Sequence, residues 1–194
     1  MMRTPFLKTP QVGDMNSKSD ASTSAAYYDG IALGYESLYK NEQSTKIQHA
    51  FSILADLDIT LSGKGIDIGC GSGFALSAFA EKYSTHIVGI DPSIELLKLG
   101  PTEHTQLGVA EEIPFEDNKF DFCLSFSALQ NCYNLTQAID ELKRVVKKDG
   151  VLVLSIMTKQ NPNADKILNQ IKNQFTILHS SEVLNDTLII ARNT

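Results

Sequence analysis

A chain of 194 residues, 42% hydrophobic and 21% charged, suits a single domain with one substantial core. Its formal net charge of −6 gives no strong nucleic-acid signal, and its one basic run, Leu142 to Lys148, reads more simply as a solvated helix end than as a phosphate-binding patch. Cys70, Cys123 and Cys132 are odd in number and lack metal-ligand spacing, and no apolar run approaches the roughly 18 residues of a membrane span, so the reading is a cytoplasmic protein with reduced thiols, no metal and no membrane span.

In chain order, residues 1–22 are rich in Ser, Thr, Lys, Asp and Pro without periodicity and read as a disordered tail; Phe6-Leu7 falls short of a signal sequence. One domain is expected over 23–194, with a helical segment at 23–60 and a sheet core at 61–194. In the helical segment a short piece around 24–38 carries Tyr27, Tyr28, Tyr35 and Tyr39. Ile47, Ala50, Phe51 and Leu54 then recur at helical spacing and predict a second helix over 43–57.

The stretch Gly65 to Leu76, GIDIGCGSGFAL, is the most informative part of the chain. A short apolar run carries an acid at Asp67; glycines follow at Gly69, Gly71 and Gly73, and a helix-compatible run begins at Phe74. This describes a buried strand, a tight turn that brings backbone close to a ligand, and a helix whose first amides lack intrahelical partners. The dinucleotide fingerprint G-x-G-x-x-G needs its third glycine one place later than this chain supplies it. Next, HIVGIDPS (His86–Ser93) reads as a strand ending in Asp91, an acid placed to accept from ribose hydroxyls or to cap the helix that Pro92 begins.

The remaining pattern predicts strands at 64–68, 86–91, 104–109, 119–126, 150–157, 174–180 and 185–192. Helices are predicted at 73–83, 93–99, 135–147 and 164–173. Strands alternating with helices imply a Rossmann-like α/β three-layer sandwich: a seven-stranded, mostly parallel sheet closed by an antiparallel C-terminal pair. Ligands in such sheets bind beyond the carboxyl ends of the strands. That rule selects Gly69–Gly73, Asp91, Ala110–Glu112, Ser127–Asn131 and Met157–Lys159, and leaves no histidine placed as an obvious base.

The order Asp67-Ile68-Gly69-Cys70-Gly71-Ser72-Gly73, followed by Asp91, resembles the class I S-adenosylmethionine-dependent methyltransferases. The segment Gly108–Gln130 is similar to the third and fourth motifs of the quinone-biosynthesis methyltransferases, and SFSALQN has a local likeness to the small-subunit ribosomal RNA guanine-N7 methyltransferases. The resemblance covers about residues 27–158. It implies S-adenosyl-L-methionine as cofactor, held by Asp67, Gly69, Cys70, Gly71, Gly73, Asp91 and Pro92, with Ala110 and Glu111 at the adenine and Ser127 beside them. Val109 stands where relatives often carry an acid, so an adenine amino contact is either missing or shifted to Glu111. Tyr28, Asp29, Ala32 and Tyr35 resemble a lid over the site; the alternative is that they staple the first helix to the core. Lys46 is either a partner for the methionine carboxylate or a solvent-exposed helix lysine.

The resemblance makes the chain an enzyme that methylates an unidentified small molecule or macromolecule. Ser127, Gln130 and Asn131 are candidates to orient that acceptor, and no catalytic residue is assigned. No inserted substrate domain is visible, so a protein partner or a second copy is expected to complete the acceptor site. Two other classes stay open: a cofactor-binding regulatory or scaffold subunit that catalyses nothing, and a nucleotide-dependent oxidoreductase.

Overall fold

The computed structural model describes residues 21–159 and 161–194, so all but the last two residues of the expected tail lie outside it. Helix α1 runs unbroken over Ala21–Asp56, where the sequence predicts two pieces. No proline interrupts residues 39–42, and contacts one turn apart bridge them: the Tyr35 and Tyr39 rings lie 4.9 Å apart and Lys46 reaches Glu42 at 2.6 Å. After α1 come β1 (Lys64–Ile68), α2 (Phe74–Tyr83), β2 (His86–Asp91), α3 (Ile94–Leu97), β3 (Thr105–Leu107) and β4 (Phe120–Phe126). The chain continues through α4 (Leu135–Val145), β5 (Val146–Met157), α5 (Ala164–Gln174), β6 (Phe175–Val183) and β7 (Asp186–Asn193).

The seven strands form one sheet in the order β3-β2-β1-β4-β5-β7-β6. Strands β1 to β5 run parallel to one another, while β7 lies antiparallel between β5 and β6. The expected architecture is present. β5 starts four residues earlier than predicted: Val146 pairs with Phe120, then the register shifts so that Val151 faces Phe122. The turn chemistry at Asp149-Gly150 is accommodated inside the strand by a left-handed residue, Asp149 at φ 65°, rather than ahead of it.

Side-chain alternation divides the core into two layers. On one face, Ile66 and Ile68 of β1 pack with Ile139 and Leu142 of α4 and Ile167 and Ile171 of α5. On the other, Phe122, Leu124 and Phe126 of β4 pack with Leu54 of α1 and Phe79 of α2. Asp67, between Ile66 and Ile68, points to this second face and lies under α2. Gly65 is required there because Phe122 covers it; an added Cβ would stand 2.3 Å from two carbons of that ring. Phe122 is 1% exposed and cannot swing into solvent. Gly65→Ala is expected to cost about 1–3 kcal/mol or more, read as a lower urea midpoint at unchanged m-value.

The basic run is absorbed structurally. Arg144 pairs with Glu141 and Asp117 and donates to the carbonyls of Ile113 and Phe115, while Lys147 pairs with Asp121. The Ile113–Phe115 loop is thereby held against α4. No helix among the described residues is long and apolar enough to cross a membrane.

Candidate functional site

The strand order reverses between β1 and β4, and a cavity opens beyond their carboxyl ends, where the architecture places ligands. Its walls come from Tyr28 and Tyr35 of α1, Gly69 and Gly71 of the glycine turn, Asp91-Pro92 after β2, Gly108–Glu111 after β3, and Phe126–Leu129 with Asn131 and Cys132 after β4. A wider groove along Leu107–Phe115 meets this cavity at Pro92, Gly108 and Val109.

The turn is shaped by backbone geometry. Gly69 and Gly71 have φ of 70° and 54°, in the left-handed region. A Cβ on Gly69 would lie 2.3 Å from that of Ala128, so the β1 and β4 ends can approach only because it is absent. A Cβ on Gly71 would project between the Tyr35 hydroxyl, at 3.6 Å, and Leu96, at 3.7 Å, into space a ligand can use.

The sequence suggested open amides at this turn, but the structure gives several of them partners. Gly69 and Cys70 donate to the Ile90 carbonyl, Gly71 donates to Asp91 Oδ2 at 2.8 Å, and Leu76 in the first turn of α2 donates to Asp67 Oδ2 at 3.1 Å. Two carboxylates therefore take N–H groups that a pyrophosphate would otherwise engage. Asp91 Oδ1 also accepts from Ser93 N at 2.8 Å, which leaves each Asp91 oxygen one free lone pair for a hydroxyl donor. The arrangement suits a neutral or cationic ligand.

Burial raises the Asp67 carboxyl to about 7, opposed by the Leu76 N–H and reinforced by the Asp91 charge. Burial likewise raises Asp91 to about 6, against the N–H groups of Ser93 and Gly71. Both groups hold protons more tightly in the folded chain than at their ordinary value of 3.8. Between that value and their raised ones the folded state binds more protons than the unfolded state, so stability falls as pH rises through the window. The thermal midpoint is expected to decline from about pH 4 to about pH 7, and Asp67→Asn to flatten that decline in a pH series of melting curves.

The lid residues are tied down at both ends of the rim. Asp29 accepts from Ser93 Oγ at 2.5 Å and from Glu95 N at 3.1 Å, and Asn131 Nδ2 donates to the Tyr28 hydroxyl at 3.2 Å. Burial raises the Tyr28 and Tyr35 phenols, so both stay neutral near pH 7. The cavity beneath measures about 80 Å³, well below the roughly 300–1,000 Å³ of an ordinary ligand pocket. Tyr28 and Tyr35 bound it on the α1 side.

Of the residues singled out from the sequence, Tyr28, Tyr35, Gly69, Gly71, Asp91, Pro92, Ala110, Glu111, Ser127 and Asn131 meet at this cavity. Asp67, Cys70, Gly73, Lys46 and Gln130 stand behind its wall. Cys70 lies over Gly89 and Gly73 against Pro101. Glu111 Oε1 is engaged by the amides of Tyr133 and Asn134, at 2.8 and 3.3 Å. Gln130 donates its side-chain amide to the Ser127 carbonyl.

Both readings of Lys46 need correction. The side chain is fully buried, and its ammonium contacts Glu42, Asp186 and Ser127, so it is neither solvent-exposed nor free to reach a ligand carboxylate. The Ser127 hydroxyl turns the same way and donates to Asp186. Asp186 has no sequence signal, being one acid in an ordinary Asn-Asp-Thr stretch. Phe126, the last residue of a predicted strand, likewise carried no site signal, whereas Leu129 fell inside the expected rim segment Ser127–Asn131.

Comparison with known proteins agrees with this geometry. A methyltransferase-domain family model matches residues 66–154. The chain is 33% identical over 135 residues to an uncharacterised protein of Methanocaldococcus jannaschii, covering 67% of this chain and 50% of that one. It is 28% identical over 110 residues to a demethylmenaquinone methyltransferase of Staphylococcus haemolyticus, covering 52% and 46%. The chain thus spans about half the length of these curated relatives. A chain of the complex between the Haloferax volcanii Trm112 methyltransferase activator and a methyltransferase superposes with a TM-score of 0.74 at 14% identity, over 86% of this chain and 97% of that one, a likeness of fold.

Proposed function

We propose that this chain, whose residues 66–154 match a methyltransferase-domain family model, is a class I S-adenosylmethionine-dependent methyltransferase that transfers a methyl group from S-adenosylmethionine to an acceptor at the carboxyl-edge rim of the sheet. The observation that carries this reading is the pair of carboxylates, Asp67 and Asp91, on the amides of the glycine turn. They leave a turn poor in free N–H donors, with the Asp91 carboxylate lining the cavity, which disfavours a dinucleotide pyrophosphate and suits a sulfonium. Calorimetry is expected to show S-adenosylmethionine and S-adenosylhomocysteine binding and NAD not; binding of NAD alone would replace this reading with the oxidoreductase.

The residues present fit an adenosyl ligand in kind. The free lone pairs of Asp91 suit ribose hydroxyls, and Val109-Ala110 with Leu129 suits an adenine face. With Glu111 Oε1 engaged, any contact to the adenine amino group falls to Oε2. Tyr28 and Tyr35 would move outward to admit the ligand and then close on it, their ring faces attracting a sulfonium by roughly 0.5–2 kcal/mol and excluding water. Asp67 acts from behind, fixing the start of α2 to β1.

Bound S-adenosylmethionine supplies an activated leaving group, so positioning, worth ~7–11 kcal/mol in effective molarity, is the protein's main contribution to rate. Among the described residues, no histidine or lysine lines the cavity, and both tyrosine phenols are held neutral. The acceptor therefore arrives nucleophilic, or a partner supplies its base. Asn131, exposed at the rim, is the best placed of the three acceptor-orienting candidates, because the Ser127 hydroxyl is held by Lys46 and Asp186 and Gln130 stands behind the cavity wall with its Nε2 on the Ser127 carbonyl.

The Haloferax volcanii neighbour, seen with an activator, supports a protein partner here too. The free thiols of Cys70, Cys123 and Cys132 support a cytoplasmic setting. A second reading, a cofactor-binding subunit without catalysis, draws on the lack of a base. Transfer of tritiated methyl from the cofactor into a cell extract, sorted by RNase, protease and solvent extraction, separates the two and names the acceptor class.

A further inference from the structure

Lys46 and Asp186 come from opposite ends of the chain and meet in full burial, at 0% and 1% exposure. Lys46 Nζ lies 2.9 Å from Asp186 Oδ1, 2.6 Å from Glu42 and 2.8 Å from Ser127 Oγ. The contact with Oδ1 is ionic rather than an aligned hydrogen bond, since that oxygen has no hydrogen-bond donor. Asp186 Oδ2 in turn accepts from Ser127 Oγ at 2.7 Å and from Ser155 Oγ at 2.5 Å.

All of this converges on one strained residue. Ser127 has φ 54°, left-handed for a side chain that rarely adopts it, and it sits at the β4 turn where the cavity wall begins. Its N–H donates to the Ser155 carbonyl at 2.8 Å, its carbonyl accepts from Gln130, and its hydroxyl is held by Lys46 and Asp186. The next residue, Ala128, is the one packed against Gly69 across the cavity floor. A buried ion pair is an inefficient way to stabilise a core, since desolvation offsets most of its attraction. Holding a residue in a conformation it would otherwise leave is a use that fits.

We infer that Lys46, Asp186 and Ser127 form a latch that fixes the β4 turn against the glycine turn and ties α1, the helix bearing the two lid tyrosines, to the same point. Lys46 and Asp186 are positioning residues, acting through Ser127. The link to ligand affinity rests on the cofactor reading above.

The test replaces both charges at once, Lys46→Met with Asp186→Leu, so that no buried charge is stranded. It compares this variant with Ser127→Ala and with all three changes together. The latch predicts a melting temperature near wild type for the double variant and at least a fivefold rise in the dissociation constant for S-adenosylhomocysteine. Ser127→Ala should give a similar rise, the triple variant should add nothing, and amide exchange at residues 127–129 should be faster in each. A folded double variant with unchanged affinity and unchanged exchange overturns the inference, as does full additivity in the triple. If the double variant does not fold, Ser127→Ala decides by the same two readouts. Wild-type protein that binds no S-adenosylhomocysteine refutes the cofactor reading instead, and the exchange data then decide the latch alone.

Discussion

Asp91→Ala is expected to weaken binding of S-adenosylmethionine and S-adenosylhomocysteine at least tenfold, measured by calorimetry on a variant shown to be folded. Two losses combine. The first is direct: a hydrogen bond from a ribose hydroxyl to a charged acceptor contributes roughly 1.5–3 kcal/mol, and about 1.4 kcal/mol is already a factor of ten. The second is indirect. Asp91 accepts from Gly71 N and Ser93 N, so its removal strands two buried amides and releases the turn that shapes the site. Asp91→Asn separates these losses, because an amide oxygen retains one acceptor while its NH₂ opposes the neighbouring donor. It should fall between wild type and the alanine variant. An unchanged dissociation constant in folded Asp91→Ala rejects the ribose role.

The elements that position this site were legible because local signals and global packing agree there. β1 and β2 coincide with their predicted limits, since each is a short apolar run bounded by turn residues and each is buried on both faces. The glycine turn and Asp91 were legible for the same reason: a backbone that must take positive φ next to a strand end leaves a residue pattern with few other causes. α3 and β3 are shorter than predicted, at Ile94–Leu97 and Thr105–Leu107. Leu99, just past α3, and Leu107, at the end of β3, lie exposed at the sheet's edge, so hydrophobicity there does not report burial.

What the sequence could not reveal are contacts between distant segments. A lysine at a helix position four residues after a glutamate looks like an ordinary surface pair, and here it is one of the most buried side chains of the protein. The partner that makes this tolerable, Asp186, lies at the start of the last strand, and no periodicity couples the two. Ser127 was visible as a rim residue, but the direction of its hydroxyl depends on the same long-range meeting. Likewise, the acids that fill the glycine turn were legible as acids but not as partners of the turn's amides.

Those long-range contacts also govern the largest expected stability effect. Lys46→Met alone should cost about 3–5 kcal/mol, because it leaves the carboxylate of Asp186, 1% exposed, without its cation. Ser127 and Ser155 still donate to Oδ2, but hydroxyl dipoles do not neutralise a buried charge, and Glu42, also deprived of its partner, adds repulsion. Adding Asp186→Leu to Lys46→Met removes the stranded charge and should restore most of the lost stability. Asp186→Leu is therefore expected to be stabilising when Lys46→Met is already present and destabilising in the wild-type chain, a sign reversal that urea titrations of the four proteins measure directly. If Lys46→Met and the double variant lose the same amount, the cost is one of packing around the lysine stem and not of charge, and the ion pair would have to be given a smaller part in holding α1 to the sheet.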